Sequence, residues 1–69
     1  MVEVFKTDVP AKYFADLIID ELQKHFPAAK INFDLDDCDK ILRVEARKIV
    51  VDDIMEQLKQ IGFKCEVLR

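Results

Sequence analysis

Two cysteines and one histidine are the side chains in this sequence most able to act as nucleophiles or as ligands for soft metals. Cys38 and Cys65 are far apart in sequence, and His25 belongs to a third segment. A thiol next to an imidazole can attack a carbonyl group, and two thiols can hold zinc or copper. Only the fold can bring these groups together, so the elements that carry them decide which chemistry is available.

An acidic segment surrounds Cys38, and its carboxylates are Asp34, Asp36, Asp37 and Asp39. Such a run suggests calcium binding. However, Cys38 and Asp39 occupy positions where a calcium-binding EF-hand loop requires an oxygen ligand and a glycine. We interpret the segment as a solvated hairpin turn, in which Asp side chains stabilise the turning backbone.

The composition limits the classes of function. The chain has 69 residues and a net charge of -3, with 11 basic and 14 acidic side chains distributed along it. We expect a single domain spanning residues 1–69, and no binding to nucleic acid, because scattered cations provide no basic face. No apolar run is long enough to cross a bilayer, and the N-terminal segment lacks the apolar core of a signal peptide. We therefore expect a cytoplasmic domain with reduced thiols and no membrane partner.

A repeated helix pattern indicates two similar halves. The stretch at residues 18–22 (IIDEL) returns at residues 54–58 (IMEQL), and an alternating strand follows each copy. Gly62 is suited to end the second helix in a left-handed conformation. With one strand before the first helix and a hairpin between the halves, the element order is βαββαβ.

This order predicts an α+β, ferredoxin-like fold, with a four-stranded antiparallel sheet in the order 4-1-3-2 and both helices on one face. The loop at residues 7–11, the acidic hairpin and the turn after Gly62 then meet at one end of the sheet. Thr7, Asp8 and Phe63 are the candidate site residues at this loop end. Thr7 and Asp8 also precede Pro10, so their oxygens are candidate caps for the first helix.

The strand alternation also predicts an open face of the sheet. If Val2 and Val4 face the helices, then Phe5, Ile41 and Leu68 lie on the opposite face among charged side chains. A slip of one residue in the first strand would bury Phe5 instead. Apolar side chains in a charged frame suit a protein partner or self-association.

Several segments resemble the heavy-metal-associated domains of copper chaperones and metal-pumping ATPases. The resemblance rests on the helix spacing after the first loop, on residues 30–35 (KINFDL) and on residues 61–68 (IGFKCEVL). It implies the ferredoxin-like fold over almost the whole chain, and Phe63 matches an aromatic residue beside the family's metal loop. That family binds Cu(I) through Cys-x-x-Cys in the first strand–helix loop, whereas the matching positions here are Asp8 and Ala11. Because Cu(I) prefers thiolates, the resemblance implies that copper transfer by this route is absent.

The residues that enzymes with this fold would use for catalysis are missing from this chain. Acyl-phosphate hydrolysis needs an arginine in a phosphate-binding first loop and an asparagine that positions water. Residues 7–11 (TDVPA) offer neither a glycine-rich turn nor an arginine, and Asp8 would repel phosphate. His25 is expected at the far end of the domain from Cys38, so we expect no thiol–imidazole pair. We predict a non-catalytic domain without a cofactor, acting as a protein-interaction module on a degenerate heavy-metal-associated scaffold. The alternative is a metal-binding or thiol-dependent carrier that uses Cys38, with Asp8 and Asp37 as further ligands.

Overall fold

The computed structural model describes residues 1–68, and the final residue of the expected domain, Arg69, lies outside the described residues. The elements are β1 (Val2–Thr7), α1 (Lys12–His25), β2 (Lys30–Asp34), β3 (Ile41–Glu45), α2 (Val51–Ile61) and β4 (Cys65–Val67). The strands form one antiparallel sheet in the order β2-β3-β1-β4. This is the predicted ferredoxin-like order read from the opposite edge, so the fold prediction is confirmed.

The repeated pattern forms the helical half of the core. Ile18 and Leu22 of α1, and Ile54 and Leu58 of α2, are almost completely buried and pack in one cluster with the sheet. Their spacing places each pair on one side of its helix, one turn apart. Neither helix in the described part of the chain is long and apolar enough to cross a membrane.

The ends of α2 follow from its sequence. The helix begins after Val50 without a side-chain cap, and Asp52 and Asp53 in its first turn interact favourably with the positive end of the helix dipole. It ends at Gly62, which has a φ of 111° and donates its N–H to the carbonyl of Leu58. Glycine adopts this left-handed conformation without strain, and it turns the chain into β4.

β1 is paired so that Phe5 lies opposite Leu42 of β3 and Val67 of β4. Phe5 and Leu42 are completely buried under the helices, whereas Val2 is 45% exposed on the opposite face. The prediction that Phe5 lies on the open face is therefore wrong, because the alternation of faces along β1 is shifted by one residue. Val2 and Val4, which were expected to face the helices, occupy the open face instead.

The larger apolar area of phenylalanine explains this choice of face. The β1 sequence carries apolar side chains on both faces, and burying a phenyl ring removes more apolar surface from water than burying a valine does. The face of Phe5 also continues through Thr7 and Val9, both of which are buried. One alternating set thus supplies the core from Phe5 to Val9.

The register of β1 can be tested by comparing truncations on its two faces. We expect Phe5→Leu to lower the free energy of unfolding by about 1–2 kcal/mol, because it removes buried atoms and leaves a void. Val2→Ala should cost less than about 0.5 kcal/mol, because Val2 is already partly in water. Urea denaturation followed by circular dichroism measures both values. Similar costs for the two substitutions would contradict this register.

Candidate functional site

The three loops predicted to share one end of the sheet do meet there. The N–H of Thr7 donates to the carbonyl of Asp39 at 3.1 Å, which joins the end of β1 to the hairpin. The N–H of Asp8 donates to the carbonyl of Lys64 at 3.3 Å, which joins it to the segment before β4. We call this region, comprising residues 7–11, 35–40 and 62–64, the loop end.

Thr7 is a structural residue of the loop end. Its side chain is buried, and its hydroxyl donates to the carbonyl of Lys40 at 2.6 Å while accepting from the N–H of Val9 at 3.3 Å. These bonds hold the hairpin against β1. Lys40 needs such support because it is a non-glycine residue with a positive φ of 48°.

Asp8 is committed to a backbone contact. Its carboxylate accepts the N–H of Lys64 at 2.8 Å, so Asp8 and Lys64 exchange two hydrogen bonds across the loop end. The helix α1 instead begins after Ala11, which makes no side-chain cap. The prediction that Thr7 and Asp8 cap this helix is therefore wrong, because both side chains bond to segments that are remote in sequence.

The first loop does not fit a soft metal. Of the two positions that would carry thiols, Ala11 has no donor atom, and Asp8 offers a hard carboxylate whose Oδ1 already holds the Lys64 N–H. Cu(I) requires soft ligands, which neither side chain supplies.

Phe63 packs at the edge of the core beside this loop. It is half-buried, contacts the core cluster, and meets the ring of Phe14 edge-on with centroids 5.5 Å apart. Phe14 in turn meets Tyr13 at 5.2 Å, and Tyr13 is largely exposed. The three rings form an aromatic row from the core to the surface, in which Phe63 closes the end of the core.

The hairpin brings one group of three possible metal ligands together within residues 1–68. Ligand atoms of Asp37, Cys38 and Asp39 lie within 4.8 Å of one another, and the two free cysteines do not form a disulfide. The predicted ligands beside Cys38 were Asp8 and Asp37. In the structure, Asp37 and Asp39 lie beside Cys38 instead. Asp37 also accepts the N–H of Asp39 at 2.8 Å, and the carboxylate of Asp39 lies 3.7 Å from the ammonium of Lys6.

The other hairpin acids serve the turn as well. Asp34 accepts the N–H of Asp36 at 3.2 Å, which is the short-range bond by which aspartate stabilises turns. Lys40 donates its ammonium to the carbonyl of Leu35 at 3.0 Å and closes the same loop. Local backbone bonding accounts for this part of the acidic run without a calcium ion.

His25 and Cys38 do not form a thiol–imidazole pair. His25 lies in the last turn of α1, next to Phe26, at the end of the domain remote from the hairpin that carries Cys38. Cys65 lies on the helix-facing side of β4. Burial, together with the nearby charge of Asp8, raises the pKa of its thiol from 9.0 to about 11.

The open face of the sheet is the second candidate site. Val4 lies beside Leu68, whose N–H donates to the carbonyl of Val4 at 2.8 Å, and Val2 follows on the same strand face. Arg43 lies directly opposite Val4, and Ile41 lies two residues before Arg43 on β3, diagonally across from Val4. Ile41 is half-buried. Three rows of side chains cross this face, each read from β2 toward β4. The first row is Asp34, Ile41, Lys6 and Glu66. The second is Asn32, Arg43, Val4 and Leu68, and the third is Lys30, Glu45 and Val2.

The predicted and observed open faces share two residues. Ile41 and Leu68 lie there, Phe5 does not, and Val2 and Val4 take its place. The large ring of Phe5 and the buried alternation that continues to Val9 are the signals that could have assigned this face correctly.

The comparison with solved structures agrees with this fold. The yeast copper transporter domain Ccc2a, solved in solution in apo and Cu(I)-loaded states, matches with a TM-score of 0.83 at 20% sequence identity. The match covers 99% of this chain and 94% of that domain. No protein-family model matches the chain, and no curated protein matches it in sequence. The chain therefore has the fold of a heavy-metal-associated domain, as the sequence resemblance implied.

The two titratable thiols can be distinguished by their reactivity. In the Cys38→Ser variant only Cys65 remains, and we expect its reaction with an aromatic disulfide to accelerate about tenfold per pH unit up to about pH 10. The reason is that burial raises the pKa of this thiol to about 11. Stopped-flow absorbance measures the rate, and the Cys65→Ser variant is the matched control. A rate that levels off below about pH 9 would contradict the raised pKa.

The same shift has a consequence for stability. Because the pKa of Cys65 is about 11 in the folded protein and near 9.0 when exposed, the folded state binds this proton more tightly. The stabilisation from Cys65 is therefore present below about pH 9 and is lost as the pH rises toward 11.

The absence of thiols in the first loop can be tested directly. We expect no stoichiometric Cu(I) binding when the reduced protein is titrated in the presence of a competing chelator, because Asp8 and Ala11 offer no thiolate. The double variant Asp8→Cys, Ala11→Cys is the positive control. A parallel Zn(II) titration addresses the hairpin group. Tight binding of either metal that disappears in the Cys38→Ser variant would contradict our expectation and favour the carrier that uses Cys38.

Proposed function

We propose that the chain is a non-catalytic protein-interaction domain that binds a partner protein through the open face of its sheet. The observation that carries the proposal is the apolar strip of Val2, Val4 and Leu68, with Ile41 beside it, on a face that no helix covers. Val2 is 45% and Leu68 is 40% exposed.

The charged frame around the strip supports a protein partner over a polyanion. Arg43 and Lys6 lie on the same face as Glu45 and Glu66, so both signs alternate across the sheet. Nucleic acid favours a face of one positive sign, whereas protein interfaces combine an apolar centre with a mixed polar rim. A folded partner with its own apolar centre and mixed rim suits this surface.

Two other regions of the molecule are already occupied by contacts within the chain. The opposite face of the sheet is covered by both helices, and the side chains of Thr7 and Asp8 at the loop end are bonded to Lys40 and Lys64. The free thiols suit a reducing compartment, so we also propose a cytoplasmic location. The carrier that uses Cys38 remains the alternative, and the metal titration above distinguishes it.

The open face can be tested with two matched leucines. Leu68 on the open face and Leu17 on α1 are 40% and 44% exposed. Proteins captured on the immobilised chain are identified, purified and titrated against the native chain and the Leu68→Asp, Ile41→Asp and Leu17→Asp variants. We expect the first two substitutions to weaken binding about tenfold or more, and Leu17→Asp to change it less than about twofold.

Thermal unfolding of each variant separates loss of binding from loss of the fold. A partner that binds the native chain and Leu68→Asp equally well, but loses affinity for Leu17→Asp, would place the interface on the helices and contradict the proposal. Uniform affinity for all variants would also contradict it.

A further inference from the structure

The strand β4 lies at the edge of the sheet, with β1 as its neighbour on one side. Leu68 donates its N–H to Val4, and the carbonyl of Lys64 accepts from Asp8. In an antiparallel pair, the residues that exchange hydrogen bonds alternate with residues whose main-chain groups point the other way. The N–H and C=O groups of Cys65 and Val67 therefore point outward from this edge.

The side chains along this edge are complementary to themselves. Lys64 and Glu66 lie on the open face on either side of Cys65. If the strand pairs antiparallel with a copy of itself about Cys65, each Lys64 lies opposite the Glu66 of the second copy. Opposite charges directly across two strands stabilise the pair. Pairing about Glu66 instead would place the two Glu66 carboxylates opposite each other, so the charge pattern favours the register about Cys65 over that one.

Backbone geometry allows the same register. Pairing about Cys65 brings the outward N–H and C=O of Cys65 against those of the second copy, and the N–H of Val67 against the carbonyl of Phe63. The N–H of Phe63 is already bonded to Leu58 at 2.9 Å and is not required.

The helix above this edge has a matching pattern. An open groove of about 630 Å³ runs between α2 and β4, and its lining includes Asp52, Met55, Lys59 and Cys65. Cys65 lies about 10 Å from Gly62 along an extended chain. The same distance measured back from Gly62 along α2 reaches Met55, so Cys65 and Met55 lie at about the same level. A two-fold axis through Cys65 therefore passes near Met55. It places the acidic start of one α2 beside the basic end of the other, with Asp52 toward Lys59 of the second copy.

We propose that the β4 edge binds the β4 edge of a second copy of this chain, in the antiparallel register centred on Cys65, and joins two sheets into one. This surface is distinct from the open face, so the proposal goes beyond the function proposed above. Because β4 is short, the interface is small and the dimer is weak, with a Kd on the order of 10–100 µM.

A charge swap tests this register. Sedimentation equilibrium of the reduced full chain measures the dimer Kd. We expect Lys64→Glu and Glu66→Lys each to weaken the dimer about tenfold, since each creates two pairs of like charges across the two-fold axis. The double variant Lys64→Glu, Glu66→Lys restores opposite pairs and should return the Kd to within about threefold of the native value. Lys24→Glu makes the same charge change as Lys64→Glu in the last turn of α1, away from both the edge and the open face, and should leave the Kd unchanged.

Hydrogen exchange locates the interface independently. We expect the amides of Cys65 and Val67 to exchange more slowly as the protein concentration rises, and the amide of Asn32 on the other edge strand to be unaffected. A native chain that stays monomeric up to about 1 mM would overturn the proposal. So would a dimer that the single substitutions weaken and the swap fails to restore, or one that leaves the Cys65 and Val67 amides unprotected.

Discussion

The strand β1 is bonded on both sides, to β3 and to β4, and its register fixes the orientation of three strands together. Side chains alternate strictly along a strand, so placing Phe5 under the helices also places Leu42 and Val67 there. The same constraint sends Val2 and Val4 to the open face, where Val4 meets Leu68. The core and the candidate interaction surface are thus two results of one pairing.

The pairing of β1 also determines the chemistry of the loop end. Asp8 is the first residue after β1, and it continues the strand pairing by exchanging two hydrogen bonds with Lys64. A hydrogen bond to a charged acceptor is stronger than one between neutral groups, so the carboxylate helps to hold β4 against β1. A metal ligand at position 8 would need an unengaged donor atom, whereas the carboxylate of Asp8 is used to join β4 to β1.

Local patterns in the sequence were sufficient for the elements and their order. The helical period identified Ile18, Leu22, Ile54 and Leu58 as core residues, and Gly62 identified the end of α2. A βαββαβ chain has few compact arrangements, so the strand order and the meeting of the loops followed. These features depend on residues that are close together in the chain or on general rules of connection.

The errors concern contacts between remote segments. β1 has apolar residues on both faces, and only its pairing with Leu42 and Val67 shows that Phe5 is buried. The oxygens of Thr7 and Asp8 look like local helix caps, but Lys40 and Lys64 engage them from far along the chain. No local pattern records such partners.

The open face and the β4 edge belong to the same sheet, and this connects the two proposals. A two-fold axis that pairs antiparallel strands stands perpendicular to the sheet, so both copies present their open faces on the same side. The strip containing Val4 and Leu68 in one copy would then face the same way as its equivalent in the other, about 20 Å away along the strands. A partner with two equivalent sites would bind such a pair with an increased effective concentration for the second contact. A weak dimer would therefore be populated most when such a partner is present, because each binding event favours the other.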